Sequence, residues 1–157
     1  MARTIAFIAH DQKKDDLVDF AIRHQPMLSR YHLIATGTTG KRIEEATSLE
    51  VESVASGRLG GDTQIAAKVV AGEMIAVIFL VDSINAQSHE PDIQTLLRIC
   101  NLHLVPLATN LGTAEAIATS FAQSLVGHLI FNPVSGGGNG QQDLDFIKQM
   151  IEPHLHL

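Results

Sequence analysis

Residues Met74 to Arg98 read MIAVIFLVDSINAQSHEPDIQTLLR. The apolar run from Ile75 to Val81 holds no polar residue, so a strand here is buried on both faces, as in the middle of a parallel sheet. The run stops at Asp82, and a polar loop follows with His89 near its end. Glu90-Pro91-Asp92 then opens a helix, because proline suits the first helical position and carboxylates suit the first turn. Ile93, Leu96, Leu97 and Cys100 give that helix an apolar face, and Arg98 lies off the stripe. The stretch is therefore strand, polar loop, helix. In open α/β sheets ligands bind outside the carboxyl ends of strands, and Asp82, His89 and Asp92 all fall at such an end.

Outward from this stretch the same alternation repeats. Residues 4–9 read as a first strand that His10-Asp11 ends. Residues 12–24 read as a helix with Leu17, Phe20 and Ala21 inward, and Pro26 forbids its continuation. Residues 31–35 form a second strand that runs into Thr36-Gly37-Thr38-Thr39-Gly40, and residues 41–47 a short helix with Ile43 and Ala46 inward. A short strand over 51–54 leads to the turn Ser56-Gly57-Arg58-Leu59-Gly60-Gly61-Asp62. Asp62 is placed to cap the next helix, which carries Ile65, Ala66, Val69 and Val70 and stops at Gly72. Beyond the central stretch come a strand over 103–108, an alanine-rich helix over 113–124 and a last short strand over 127–131. Pro106 puts the 103–108 strand near a sheet edge or marks a strand end. Alternating strands and helices mean βαβ units: a mostly parallel sheet with helices on both faces.

Composition narrows the class. A chain of 157 residues with 45% apolar content can bury a real core. The net charge of −6 argues against nucleic acid, which selects a basic face, but leaves a small anion open. One cysteine excludes an internal disulfide and fits a reducing cytoplasm, and Cys100, on an apolar helix face, reads as core. The opening MARTIAFIAHD reads as a strand rather than a signal peptide, and no apolar run reaches membrane-spanning length.

Four places could carry chemistry, and each has a plain structural reading beside it. Thr36-Gly37-Thr38-Thr39-Gly40 follows a strand and opens a helix, so its glycines, amides and hydroxyls suit an anion; it also reads as a well-capped βα turn. His10, Asp11 and Lys14 lie at the end of the first strand, where Lys14 can face the same anion or simply meet solvent. Gly60-Gly61-Asp62 lets a ligand approach a carboxylate, or is a helix cap. Asp82, His89, Asp92 and Arg98 offer an imidazole beside carboxylates for acid–base work, or form a surface loop and a helix start. No second His or Cys falls at metal spacing from His89, which argues against a metal centre. All four places fall at carboxyl ends of strands. An anion cradle, carboxylates and an imidazole without a cofactor motif point to a small phosphorylated substrate and proton chemistry.

Taken in order, AHD with Lys14, ATGTTG, SGxxGGD, His89-Glu90-Pro91-Asp92, Arg98 and Ala108-Thr109-Asn110 resemble the methylglyoxal synthase family, in register from about Ile5 to Ile130. The resemblance implies a three-layer, Rossmann-like α/β domain with a mostly parallel five-stranded sheet over residues 1–131, assembled as a homohexamer. It implies a lyase that converts dihydroxyacetone phosphate to methylglyoxal and inorganic phosphate, without metal or organic cofactor. By family pattern Asp62 matches the base, His89 the histidine that polarises or shuttles protons at the two oxygens, and Asp92 a supporting carboxylate. Lys14, Thr36, Thr38, Thr39, Gly40 and Gly57 match the phosphate set. His10 and Asp82 match further site residues, and Asp11, Ser56 and Arg98 complete the expected substrate-binding set. The rival reading is an effector-binding module of a larger enzyme, with the cradle but no chemistry.

Two departures stand out. Family members can carry an arginine near the C-terminus that reaches a neighbouring subunit's phosphate, and here no arginine follows Arg98. Arg58 and Ser83 stand where some relatives carry proline. The tail, 132–157, begins NPVSGGGNG and contains an amphipathic helix over 141–152 with Leu144, Ile147 and Ile151. Its opening is similar to that of diacylglycerol-kinase-like catalytic domains. The expectation is the start of a fused second domain of that kind; the alternative is a flexible tail.

Overall fold

The computed structural model describes residues 3–84 and 90–123, with side chains for all of these except 90–92. Five strands form one sheet in the order β3-β2-β1-β4-β5: β1 Thr4–Ala9, β2 His32–Thr36, β3 Val51–Val54, β4 Met74–Leu80 and β5 Leu107–Ala108. Every pairing is parallel. The chain builds β1, β2 and β3 toward one edge, then returns to lay β4 on the other side of β1. The strand order reverses between β1 and β4, and in open α/β sheets ligands gather beyond the carboxyl ends of the strands near such a reversal.

Period-two side-chain alternation sorts the apolar residues into two layers. Ile5, Phe7, Ala76, Ile78 and Leu80 pack on one face with Leu17 and Phe20 of α1 (Lys14–Arg23), Ile43 of α3 (Gly37–Ala46) and Ala114 and Ala118 of α6 (Leu111–Gln123). Ala6, Ile8, Val77 and Phe79 pack on the other with Ile65 and Val69 of α4 (Gly61–Val70) and Ile93, Leu96 and Cys100 of α5 (Glu90–Leu102). The three-layer architecture expected from the alternation is thus the one observed. Cys100 is buried, and desolvation pushes its thiol up to about 11, so it is packing rather than a nucleophile.

Three local expectations change. The strand expected over 103–108 shrinks to Leu107–Ala108, because α5 runs on to Leu102 and ends in a Schellman turn. There Leu104 takes φ 54°, Val105 N–H donates to the Cys100 carbonyl at 2.9 Å and Leu104 N–H to that of Asn101 at 3.4 Å. Pro106 stands before an edge strand, as its missing donor requires. The helix expected from residue 41 begins at Gly37, so the glycine–threonine segment is its first turn and not a loop before it. Asp62 is not the cap of α4; Gly60 is, and Asp62 lies inside the first turn. A short helix, α2 (Gln25–Leu28), follows α1, with Pro26 in its first turn, where a missing N–H costs nothing. The strand expected over 127–131 and the whole tail, 132–157, lie outside the described residues.

The end of α1 is tied to α6 by Glu115, which accepts Arg23 Nη2 at 2.7 Å and sits 2.6 Å from His24 Nε2. The Arg23 hydrogen bond, aided by His24 and opposed by partial desolvation, holds the Glu115 carboxyl below its ordinary value. A lowered folded pKa means that the stabilisation is present above the unfolded value and is lost as pH falls through the folded one. The pair is half exposed, so Glu115→Gln should cost no more than about 1 kcal/mol at neutral pH. That deficit should close below about pH 4. Urea unfolding of both proteins at pH 7 and pH 3 measures it; an equal deficit at the two pH values would refute the assignment.

Candidate functional site

Two turns meet beyond the carboxyl ends of β1, β2 and β3, and glycine lets them touch. Gly37 has φ 48°, and a Cβ there would stand 3.0 Å from the Ser56 Cα. Its N–H donates to the Ala55 carbonyl at 3.2 Å. A Cβ on Gly61 would lie 1.8 Å from that same carbonyl oxygen. The first turn of α3 and the turn that carries Asp62 are therefore in backbone contact. Leu59, Gly60 and Gly61 amides close the second turn onto Ser56 and Gly57 carbonyls at 2.8 to 3.0 Å.

Beside this junction lies a cavity of about 590 Å³. His10, Asp11, Lys14, Thr36, Thr38 and Thr39 line it from the β1 and β2 side, and Ser56, Gly57 and Asp62 from the β3 side. The N-cap residues of α3 and α4, Thr36 and Gly60, make no side-chain cap hydrogen bond. The first-turn amides of a helix have no intrahelical acceptors, and their partial positive charge suits an anion. Lys14 Nζ donates to Thr38 Oγ1 at 2.9 Å and to Asp11 Oδ1 at 2.7 Å, so the ammonium is already pinned over the start of α3. The Lys14 hydrogen bond, and then its charge, holds the Asp11 carboxyl below the ordinary range; Arg58 adds to this against slight burial.

Asp62 is buried against the cavity, and its Oδ1 accepts the Thr63 N–H at 2.9 Å. His10 is buried with its ring edge-on to Phe79 at 5.3 Å. The Asp82 backbone N–H donates to His10 Nδ1 at 2.9 Å. That nitrogen therefore carries no hydrogen, and the neutral ring holds its proton on Nε2. Asp82 acts here through its backbone. Its carboxylate accepts the Ile84 N–H at 3.1 Å and faces a neighbouring cavity with Lys13, Thr109 and Asn110.

Not every expected site residue joins this group. Gly40 is not among the residues that line the cavity; a Cβ there would meet Ser53 Oγ at 2.8 Å and the Ala35 and Val51 side chains at 3.4 Å, so its glycine lets α3 pack closely on β3. Arg98 is exposed on the outer face of α5, in a shallow depression with Gln94, Leu97 and Asn101. His89 and the side chain of Asp92 lie outside the described residues, although Ile93, one residue on, lines the cavity. Arg58 and Lys41 also line it. Neither is evident from the sequence: Arg58 joins because the fold brings the turn after β3 against the first helix, and Lys41 because α3 already begins at Gly37.

The sequence profile of the MGS-like domain matches residues 16–109. The methylglyoxal synthase of Thermus thermophilus is 59% identical over 115 residues, covering 73% of this chain and 91% of that protein. The methylglyoxal synthase of Borreliella afzelii is 51% identical over 117 residues, covering 74% of this chain and 92% of that protein. An uncharacterised protein of Synechocystis is 53% identical over all 157 residues, and the chain spans only 36% of its length. The crystal structure of methylglyoxal synthase from Elizabethkingia anophelis matches with a TM-score of 0.71 at 43% identity, covering 75% of this chain and 78% of that one.

Proposed function

The chain belongs to the methylglyoxal synthase family, and from that premise we propose that it eliminates phosphate from dihydroxyacetone phosphate through an enediolate, with Asp62 as the base. One observation carries the reading: a buried carboxylate and an uncapped helix N-terminus share one cavity, and their turns are clamped together by glycine contacts. The phosphoryl group sits on the amides of Thr38 and Thr39, with Lys14 and the threonine hydroxyls around it. Asp62 then removes a proton from the hydroxymethyl carbon beside the ketone. Charge develops on the two oxygens, where fixed donors are worth most. His10, holding its proton on Nε2, is one such donor, and His89 is the group that moves protons between the oxygens, with Asp92 supporting it. Phosphate leaves as the C–O bond breaks, and the enol that remains becomes methylglyoxal by proton return to the former C–O carbon. The bond must stand out of the enediolate plane to break, so the cradle sets a torsion as well as an affinity.

The Lys14 ammonium contributes a charge-assisted hydrogen bond to the phosphoryl group in this scheme. Lys14→Met should lower kcat/KM by about 10- to 100-fold, the loss of one such bond. An unchanged kcat/KM would remove Lys14 from the site. The reading as a whole is tested by supplying dihydroxyacetone phosphate and following methylglyoxal and inorganic phosphate together. Tight phosphate binding without turnover would overturn it and leave an effector-holding module. The same family pattern gives a homohexamer, which sedimentation of the purified chain tests directly.

A further inference from the structure

The turn that presents Asp62 also presents a cation. Arg58 lines the cavity, and its Nη2 reaches Asp11 Oδ2 at 3.5 Å while Lys14 holds the other oxygen of the same carboxylate. We propose that Arg58 is a ligand of the substrate's phosphoryl group, one that leaves Asp11 when that group arrives; this deepens the function proposed above and rests on it.

Three observations carry it. The first is charge. The described ionisable wall of the cavity comprises Lys14, Lys41 and Arg58 against Asp11 and Asp62, beside the neutral His10. Three cations face two carboxylates, so without Arg58 the wall would be neutral. That surplus, supplied by this one side chain, favours a dianionic monophosphate. The second is the weakness of the present pair. At 3.5 Å, with side-chain exposures of 76% and 67%, the Arg58–Asp11 contact is worth little and is readily exchanged for a phosphoryl group with more oxygens and more charge. The guanidinium can meet two of those oxygens at once, which an ammonium cannot. The third is geometry. The turn's backbone is locked by the Leu59, Gly60 and Gly61 amide bonds, so the Arg58 Cα is fixed beside the cavity while its long side chain keeps its freedom. Asp11 already occupies a point that Lys14 and Arg58 both reach, which is where an anion's oxygens would stand.

Equilibrium titration of the full chain with inorganic phosphate tests this. Arg58→Ala should weaken phosphate binding about tenfold, or about 1.4 kcal/mol, and flatten its dependence on ionic strength. Arg58→Lys should recover part of the affinity, because it keeps the charge and loses the fork. In turnover, KM for dihydroxyacetone phosphate should rise by a similar factor with kcat within about twofold. Phosphate affinity of Arg58→Ala within twofold of the parent, or tighter, overturns the proposal. The two readings fail separately: a parent chain that turns nothing over yet loses phosphate affinity on Arg58→Ala refutes the lyase and keeps the ligand. Full turnover with unchanged phosphate affinity does the reverse.

Discussion

Asp62→Asn should abolish most turnover of dihydroxyacetone phosphate, by about 10²- to 10⁴-fold in kcat, while phosphate affinity and thermal stability stay near those of the parent. The amide keeps the size of the carboxylate and can still accept the Thr63 N–H through its oxygen, so the first turn of α4 has no reason to move. What it loses is the capacity to take a proton. The carbon acid is weak, and no other described carboxylate both lines the cavity and is buried there: Asp11 is largely exposed and committed to Lys14. Turnover that survives the substitution within tenfold would remove Asp62 as the base. Loss of phosphate affinity alongside turnover would instead assign it to holding the turn in place.

Gly61→Ala has the largest expected effect on stability among single substitutions at the site. The new methyl would stand 1.8 Å from the Ala55 carbonyl oxygen and 2.7 Å from its carbon. Both partners are backbone, and no rotamer can relieve a Cβ. The turn must shift, and with it the Ala55 carbonyl that also accepts the Gly37 N–H. Overpacking of this kind costs about 1–3 kcal/mol and sometimes more. The melting temperature should therefore fall by several degrees, and kcat/KM should fall with it, since the two turns would separate. Gly57→Ala is the internal control. A Cβ there meets nothing within 4 Å, so its melting temperature should match the parent's. Equal melting temperatures for the two variants would show that the junction is looser than its backbone contacts indicate.

The elements were legible where local periodicity and burial agree. The buried run that forms β4 is readable because a strand covered on both faces must be apolar throughout, whereas the short β3, Val-Glu-Ser-Val, shows neither an apolar run nor strict alternation. The strand expected from residue 103 starts later because residues 103–105 form the closing turn of α5, where Leu104 adopts a left-handed conformation that glycine usually occupies and that no glycine in the sequence marks. The start of α3 was misread for the converse reason. Glycine and threonine are poor helix formers, yet Gly37 opens the helix, where it comes against Ser56 in the turn after the neighbouring strand β3. The candidate site shows the same division. Lys14, Thr38 and Asp62 stand out by their positions at strand ends, whereas the close approach of Gly40 to Ser53 is visible only in the fold.

Residue order alone determined the α/β class, the parallel sheet and the end of the sheet at which ligands gather, because strand polarity and helix dipoles are properties of the chain direction. Only the folded molecule decided which of the candidates at that end meet. The parallel pairing of β3 beside β2 sets the turn after β3 against the first turn of α3. The fold sets Arg58 beside Asp11, 47 residues away along the chain, and leaves Arg98 on an outer helix face. Contacts of that separation depend on how layers stack, and no local pattern of residues encodes them.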